Sequence, residues 1–258
     1  MIDLHCHILP GIDDGPETTD ESMEMCRMAA SDGIETIVVT PHFRPGIRRF
    51  ISGEIIGLID TLTEQLEKEE VGIRLLPGAD ITITPELLNH LKSEEYLTIN
   101  KNGRYFLAEF PSDMVPPNWD KFLISFLSAD MVPIITHPER NLWFLNNPEA
   151  LYQIVSKGVM VQITAMSITG GFGGDAREFC TFLLEHNLVH VIATDAHSST
   201  YRPPLLKEAV NQAVDIVGKE RAMSLVSSIP AAIIEGSTIS LPVPVRQVSN
   251  KKRWLPRL

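Results

Sequence analysis

The chain has 258 residues, 44% of them hydrophobic, enough for one large core and the length of a single α/β barrel. Its 33 acidic against 22 basic side chains leave a formal charge of -11, which argues against a nucleic-acid backbone as partner of the main body. Cys6, Cys26 and Cys180 are too few and too scattered for a disulfide framework or a zinc cage. There is no apolar run of roughly 18–20 residues and no basic-then-apolar opening, so the expectation is a soluble, cytoplasmic protein that is not transmembrane.

Seven short apolar runs alternate with amphipathic stretches, the pattern of β/α units around a parallel sheet or barrel. The first, 2–5, ends in His5-Cys6-His7; residues two apart on an extended chain face the same side, so both imidazoles can address one cation. A helix is expected over 20–31. The second run, 36–40, leads to His42 and is followed by a helix over 53–69. The third, 73–76, leads to Asp80, and the fourth, 105–110, carries Glu109. After a helix over 120–129 comes the fifth, 132–136, with His137 at its end and Arg140 three residues on. A helix over 148–157 precedes the sixth run, 159–164. The glycine-rich stretch 169–174, a mobile loop or a simple turn, then opens a helix over 175–185. The seventh run, 189–194, delivers Asp195 and His197, with Arg202 five residues further. Two helices over 203–217 and 219–226 close the fold. Residues 237–258 lose periodicity, contain Pro242, Pro244 and Pro256, and gather Arg246, Lys251, Lys252, Arg253 and Arg257. The domain reading is a barrel over 1–236 and a basic, flexible C-terminal tail over 237–258.

In a β/α barrel the C-terminal strand ends converge on one face, so these residues would meet there. Any one His or carboxylate after a strand is more often a hydrogen-bonded or capping residue; recurrence at strand after strand is what favours a site. Mixed imidazole and carboxylate without thiolate suits Mn, Zn or Fe, and the ligand count exceeds one ion's need, so two or three ions are implied. Arg140 and Arg202 are the best-placed phosphate clamps, since a guanidinium fork fits phosphate oxygens. None of the three cysteines has an arginine five residues later, as a cysteine phosphatase requires, and no Lys-Ser or Lys-Thr follows the glycines to make a nucleotide loop. His90, His186 and His190 do not share the strand-end placement and are left as structural.

His5-Cys6-His7, Asp13-Asp14-Gly15-Pro16, Thr40-Pro41-His42, Gly78-Ala79-Asp80, Thr136-His137-Pro138-Glu139-Arg140 and Ala193-Thr194-Asp195-Ala196-His197 together resemble the polymerase and histidinol phosphatase (PHP) superfamily. Asp-Asp-Gly-Pro, Gln162-Ile163-Thr164 and Arg202-Pro203-Pro204 make the chain more similar to its capsule and exopolysaccharide protein-tyrosine phosphatases. The resemblance runs from Met1 to about Glu235. It implies a distorted seven-stranded, TIM-like β/α barrel of PHP type with three metal ions, usually manganese. Carried over, His5, His7, Asp80 and Asp195 hold the first ion, Asp80, Glu109 and His137 the second, and Asp14, His42 and His197 the third; Asp14 and His42 also enter the catalytic set with the phosphate-binding Arg140 and Arg202. One position departs: Asp80 stands where the branch commonly has the longer Glu. The implied activity is hydrolysis of phosphotyrosine through a metal-activated water. The implied substrate is the tail of a bacterial tyrosine kinase that controls polysaccharide export, with Phe43, Phe110, Met114 or Trp143 as candidates to line a place for the phenyl ring. The basic tail, with Trp254 and Leu255, is a candidate for weak docking on that kinase or on anionic lipid. Competing readings are a small-molecule phosphomonoesterase of the histidinol-phosphate or sugar-phosphate type, a nuclease, and a non-catalytic metal-binding module.

Overall fold

The computed structural model describes residues 1–44, 52–84, 87, 98–111 and 114–246. The apolar runs become β1 (Ile2–Cys6), β2 (Thr36–Val39), β3 (His42–Phe43), β4 (Arg74–Pro77), β5 (Asp80–Thr82), β6 (Tyr105–Glu109), β7 (Val132–Thr136), β8 (Met160–Thr164) and β9 (Val191–Ala193). All pair in parallel, in a three-stranded sheet ordered β1-β2-β4 and a six-stranded sheet ordered β3-β5-β6-β7-β8-β9. The second and third runs are each interrupted, and the interruption passes the chain from the first sheet to the second. Pro41 sits at one break and has no amide hydrogen to give a ladder. Gly78 sits at the other, where an added Cβ would lie 2.8 Å from Val38 Cγ1, so only glycine permits the close approach of β4 to β2. Among the described residues the ladders do not form a single closed sheet; β1 and β9 meet through an isolated parallel bridge, Cys6 to Ala196.

Helices pack outside the strands: α1 (Thr19–Asp32), α2 (Ser52–Lys68), α3 (Trp119–Leu127), α4 (Leu142–Asn146), α5 (Pro148–Val155), α6 (Ala165–Ile168), α7 (Gly174–Glu185), α8 (Lys207–Val217), α9 (Lys219–Ser224) and α10 (Ser228–Ile234). The helix expected from Pro203 starts only at Lys207, where Asp32 Oδ2 accepts from the amides of Leu206 and Lys207 at 2.6 and 2.8 Å. That carboxylate supplies the cap which the chain before α8 lacks. With helices outside and side chains inside, the parallel strands are buried on both faces, which is why they read as apolar runs without alternation. Phe106, Leu107 and Ala108 on β6 and Ile134 and Ile135 on β7 are all fully buried.

The first part of the expected tail is tied to the body. Tyr105 donates its hydroxyl to Ser237 O at 2.6 Å, Val245 N donates to His186 O at 2.8 Å, and Arg246 pairs with Glu149 at 2.8 Å. Residues 247–258, with the remaining basic side chains, Trp254 and Leu255, lie outside the described residues, as does His90. No helix among the described residues is long and apolar enough to cross a membrane.

His190 and His186 are structural, as their placement suggests. His186 Nδ1 lies 2.8 Å from Phe182 O at the end of α7, and the buried His190 Nδ1 accepts from Val161 N at 3.0 Å. Burial, helped by Arg221, pushes His190 down to about 3, so its ring is neutral when folded. The unfolded chain protonates first, so this histidine removes stability as pH falls from about 6.5 towards 3, at up to about 1.4 kcal/mol per pH unit. His190→Asn, which keeps an acceptor but cannot titrate, is expected to flatten the acid slope by about that amount in urea titrations with chelator present; an unchanged slope would refute a neutral buried ring.

Candidate active site

At the C-terminal ends of the strands the chain turns sharply, and at two of these turns a non-glycine residue takes the left-handed region: His137 at φ 36° and Asp195 at φ 50°. Such conformations are held only where the surroundings over-determine them, and here they turn ligand-type side chains inward. His5 and His7 project from and just beyond β1, His42 opens β3, Asp80 opens β5, Glu109 ends β6 and His197 follows β9.

All nine expected ligand residues are brought together in four overlapping groups: His7 with Asp14, His42 and His197; His5 with His7 and Asp80; His5 with His137 and Asp195; and His42 with Asp80 and Glu109, the ligating atoms of each group lying within 4.8 Å of one another. The grouping differs from the sets carried over above at four residues. His7 joins the Asp14 group, His42 also joins Asp80 and Glu109, and His137 and Asp195 stand together with His5, His137 Nε2 lying 3.9 Å from Glu109. Asp80 is shared, with Oδ2 3.6 Å from His5 Nε2 and 3.3 Å from His42 Nδ1. Asp14 Oδ1 lies 3.4 Å from His42 Nε2 and 3.3 Å from His197 Nε2, and its side chain, 65% exposed, is where the buried cluster meets solvent.

The electrostatics show competing demands. Burial drives His7 down to about 4 against the pull of Asp13, and burial with Arg140 pushes His137 below the ordinary range. Burial acts against charge on His42 too, but Asp14 and Asp80 beside it prevail and carry it up to about 11. Burial and the charge of Asp80 raise Glu109 to about 8, while burial resists charge on Asp80 and the imidazoles of His5 and His42 hold it low. Neighbouring groups pushed in opposite directions mark an excess of buried negative charge that a proton on His42 partly neutralises. Both oxygens of Asp80 and Nδ1 of His42 are buried without a hydrogen-bond partner. Buried polar atoms are rarely left so, and these three fit a divalent cation by donor type and convergence.

Arg140 and Arg202 each place Nη2 2.6 Å from the same oxygen, Asp195 Oδ2, and Arg202 also reaches Asp195 O at 2.9 Å. Beside them a cavity of about 520 Å³ is lined by Arg44, Glu109, Phe110, His137, Arg140 and Phe144 among others. Of the four aromatic-slot candidates, Phe110 lines this cavity. Phe43 is fully buried, Met114 is exposed, and Trp143 packs edge-on to Trp119 along a separate cleft. Burial pushes the Cys6 and Cys180 thiols well up and Cys26 to about 12, so none is a ready nucleophile.

Sequence reading missed the residues that orient the ligands. Asp13 Oδ2 lies 2.7 Å from His7 Nδ1 and accepts from the amide of His42 at 3.0 Å, while Oδ1 accepts from Gly15 N at 3.0 Å. Gln162 Oε1 lies 3.0 Å from His5 Nδ1. Each leaves the Nε2 of its histidine turned to the cluster. Both stand in motifs that carried the resemblance, Asp13 in Asp13-Asp14-Gly15-Pro16 and Gln162 in Gln162-Ile163-Thr164, but neither lies at the end of a strand, so strand-end recurrence did not single them out.

A buried imidazole and carboxylate cluster at parallel strand ends, with two arginines beside it, defines a metallohydrolase type of site on an α/β scaffold. The sequence matches, over residues 1–235, the family described as capsular polysaccharide synthesis, CpsB/CapC. It is 39% identical over 210 residues to the tyrosine-protein phosphatase YwqE of Bacillus subtilis, covering 81% of this chain and 82% of that one. It is 32% identical over 255 residues to the CapC protein of Staphylococcus aureus, covering 98% of each. Its fold matches a crystal structure from the pair YwqE of Bacillus subtilis and CpsB of Streptococcus pneumoniae, described as metal-dependent tyrosine phosphatases, with a TM-score of 0.90 at 34% identity, covering 96% of this chain and 100% of that one. The chain belongs to the CpsB/CapC family.

Residues that orient metal-binding histidines typically matter 10- to 100-fold for affinity. Asp13→Ala is expected to weaken divalent-metal binding by about that factor, read by competition against a chelating dye, with Asp13→Asn intermediate; equal affinities in all three proteins would show that Asp13 does not orient His7.

Proposed function

We propose that this chain is a metal-dependent protein-tyrosine phosphatase that hydrolyses phosphotyrosine on a bacterial tyrosine kinase controlling capsular or exopolysaccharide synthesis. The observation that carries the reading is the pair of guanidinium groups from Arg140 and Arg202, converging on one point at the edge of the imidazole and carboxylate cluster. Two convergent forks suit a tetrahedral dianion. The family membership and the phosphatase relatives support it.

His5, His7, Asp80 and Asp195 would hold one ion, Asp80, Glu109 and His137 a second, and Asp14, His42 and His197 a third, with manganese the expected metal and zinc or iron the alternatives. Bound there, divalent ions would supply an activated water and neutralise charge on the phosphoryl group. The chain's own residues do the rest. Arg140 and Arg202 bind and orient the phosphate. Phe110 and Phe144 give the neighbouring cavity an apolar wall suited to an aryl leaving group. The two sheets are read as one distorted seven-stave barrel, β2 with β3 and β4 with β5 each forming an interrupted stave. The catalytic domain is 1–236, the tail 237–258 serves docking, and the site of action is the cytoplasm.

The deciding experiment strips the purified protein with chelator, restores Mn, Zn or Fe singly, and follows hydrolysis of a phosphotyrosine peptide beside histidinol phosphate and a labelled oligonucleotide, with metal content measured in parallel. Peptide turnover restored by metal at two to three ions per chain is expected. Turnover of the small ester alone would move the assignment to a small-molecule phosphomonoesterase, and bound metal without any turnover to a binding module. His42→Ala, His137→Ala and Asp195→Asn are expected to lose activity by about a hundredfold or more with circular dichroism unchanged. Arg140→Ala is expected to act chiefly on KM, raising it about 10- to 100-fold, the worth of a charge-assisted hydrogen bond.

A further inference from the structure

Phe172 stands at the centre of Gly170-Gly171-Phe172-Gly173-Gly174. Its ring faces both phosphate-site arginines, with the Arg140 guanidinium carbon 4.7 Å and that of Arg202 5.7 Å from the ring centroid. Both lie within the range of a cation–π contact. The loop that carries the ring is closely specified. Gly170 and Gly173 adopt φ of +91° and +96°, and a Cβ on Gly171 would lie 2.5 Å from Met166 Cγ. Gly171 N and Gly173 N are bonded to Met166 O and Gly170 O at 2.8 and 3.0 Å. Two left-handed glycines and one in close contact thus set the path of the loop around the aromatic, whose side chain is only partly buried. Packing of the ring alone gives little reason for such a frame.

The two arginines create the need for it. Their Nη2 atoms share Asp195 Oδ2, so two cations crowd one oxygen and repel each other. The Asp195 carboxylate compensates from one side, and the negative face of an aromatic ring compensates from another without competing for hydrogen-bond donors. We infer that Phe172 is a positioning residue for the phosphate clamp, holding both guanidinium groups at the geometry in which they receive a phosphoryl group. This rests on the phosphatase reading above and adds to it the residue that keeps the clamp assembled between substrates. When phosphate enters, the donors turn from Asp195 to its oxygens while the ring stays behind them.

The test compares wild type, Phe172→Leu, Phe172→Tyr and Phe172→Trp, all loaded with manganese. It measures the binding of inorganic phosphate by calorimetry and kcat and KM on a phosphotyrosine peptide. Leucine keeps an apolar side chain of similar size and removes the ring. Phe172→Leu is expected to weaken phosphate binding about tenfold, the combined effect of two contacts of this kind, and to raise KM in proportion, with kcat falling less than about threefold and metal content and Tm held. Phe172→Tyr and Phe172→Trp are expected to bind phosphate within about twofold of wild type. Phosphate affinity in Phe172→Leu equal to wild type would overturn the inference, as would a loss in the two aromatic variants as large as in leucine. A wild type that binds phosphate but leaves the peptide uncut would sink the phosphatase reading alone, because the binding comparison still decides the role of Phe172.

Discussion

Two backbone hydrogen bonds, Asp195 N to His5 O at 2.8 Å and His7 N to Ala196 O at 2.9 Å, hold the site together. They join the first strand to the turn after the last and set His5, His7, Asp195 and His197 side by side, though almost the whole chain separates the two pairs. Beneath them Asp3 fastens the same seam, taking the amide and hydroxyl of Thr194 at 3.0 and 2.5 Å and the amide of His5 at 3.3 Å. Burial raises Asp3 to about 6 in spite of these donors, so the latch itself carries a desolvation cost. The left-handed turn at Asp195 belongs to the same seam. It lets the residue give its amide to β1 and its carboxylate to the cluster at once.

The cluster is destabilising in isolation, and the rest of the fold explains how it persists. His5, His7, Asp80, Asp195 and His197 are nearly or fully buried, so the cluster takes five polar side chains out of water together. Two parallel sheets buried on both faces, with phenylalanines at 106, 126, 144 and 179 fully enclosed, supply apolar burial of the kind that offsets such an arrangement. Apart from Asp14, which lies on the loop between β1 and α1, the expected ligand side chains sit on strand ends and the residues just beyond, where ladders fix the backbone. The arginines and Phe172 sit on the turns and loops that follow. Rigid elements therefore carry the groups that must not move, and loops carry those that must meet a variable substrate.

The strand positions were legible because parallel strands buried on both faces leave unbroken apolar runs, and the expected ligands were legible because they recur at the ends of those runs, all but Asp14, which came only with the family resemblance. What was hidden is what depends on register and side-chain direction. Two runs are broken and shared between sheets, which follows from Pro41 and from the lack of room at Gly78, and neither effect has a periodicity to read. The distribution of the expected ligands among groups differed at His7, His42, His137 and Asp195, and two of these, His137 and Asp195, sit in left-handed turns that point where a strand residue would not. Asp13, Gln162 and Phe172 act through other residues and so carry no ligand pattern of their own. The start of the tail reads as irregular, and it is, yet Val245 and Arg246 are held by His186 and Glu149, contacts that no local signal announces.

The strand break at Gly78 also sets the position of Asp80, the carboxylate shared between two sides of the cluster. An aspartate is a methylene shorter than a glutamate, so its reach depends on where the main chain puts its Cα. Here β4 stops at Pro77 and β5 begins at Asp80 itself, with Asp80 N bonded to Pro41 O at 3.1 Å and Asp80 paired in register with His42. The break carries the backbone towards the cluster, and Oδ2 stands within 3.6 Å of His5 on one side and 3.3 Å of His42 on the other. Reach that a longer side chain supplies by its own length is supplied here by main-chain placement. That placement is stiffer, because a ladder-bound Cα has less freedom than an extra torsion angle. A carboxylate held this way has little room to adjust its distance to either neighbour, so the spacing between the two sides of the cluster is set by the sheet rather than by the side chain.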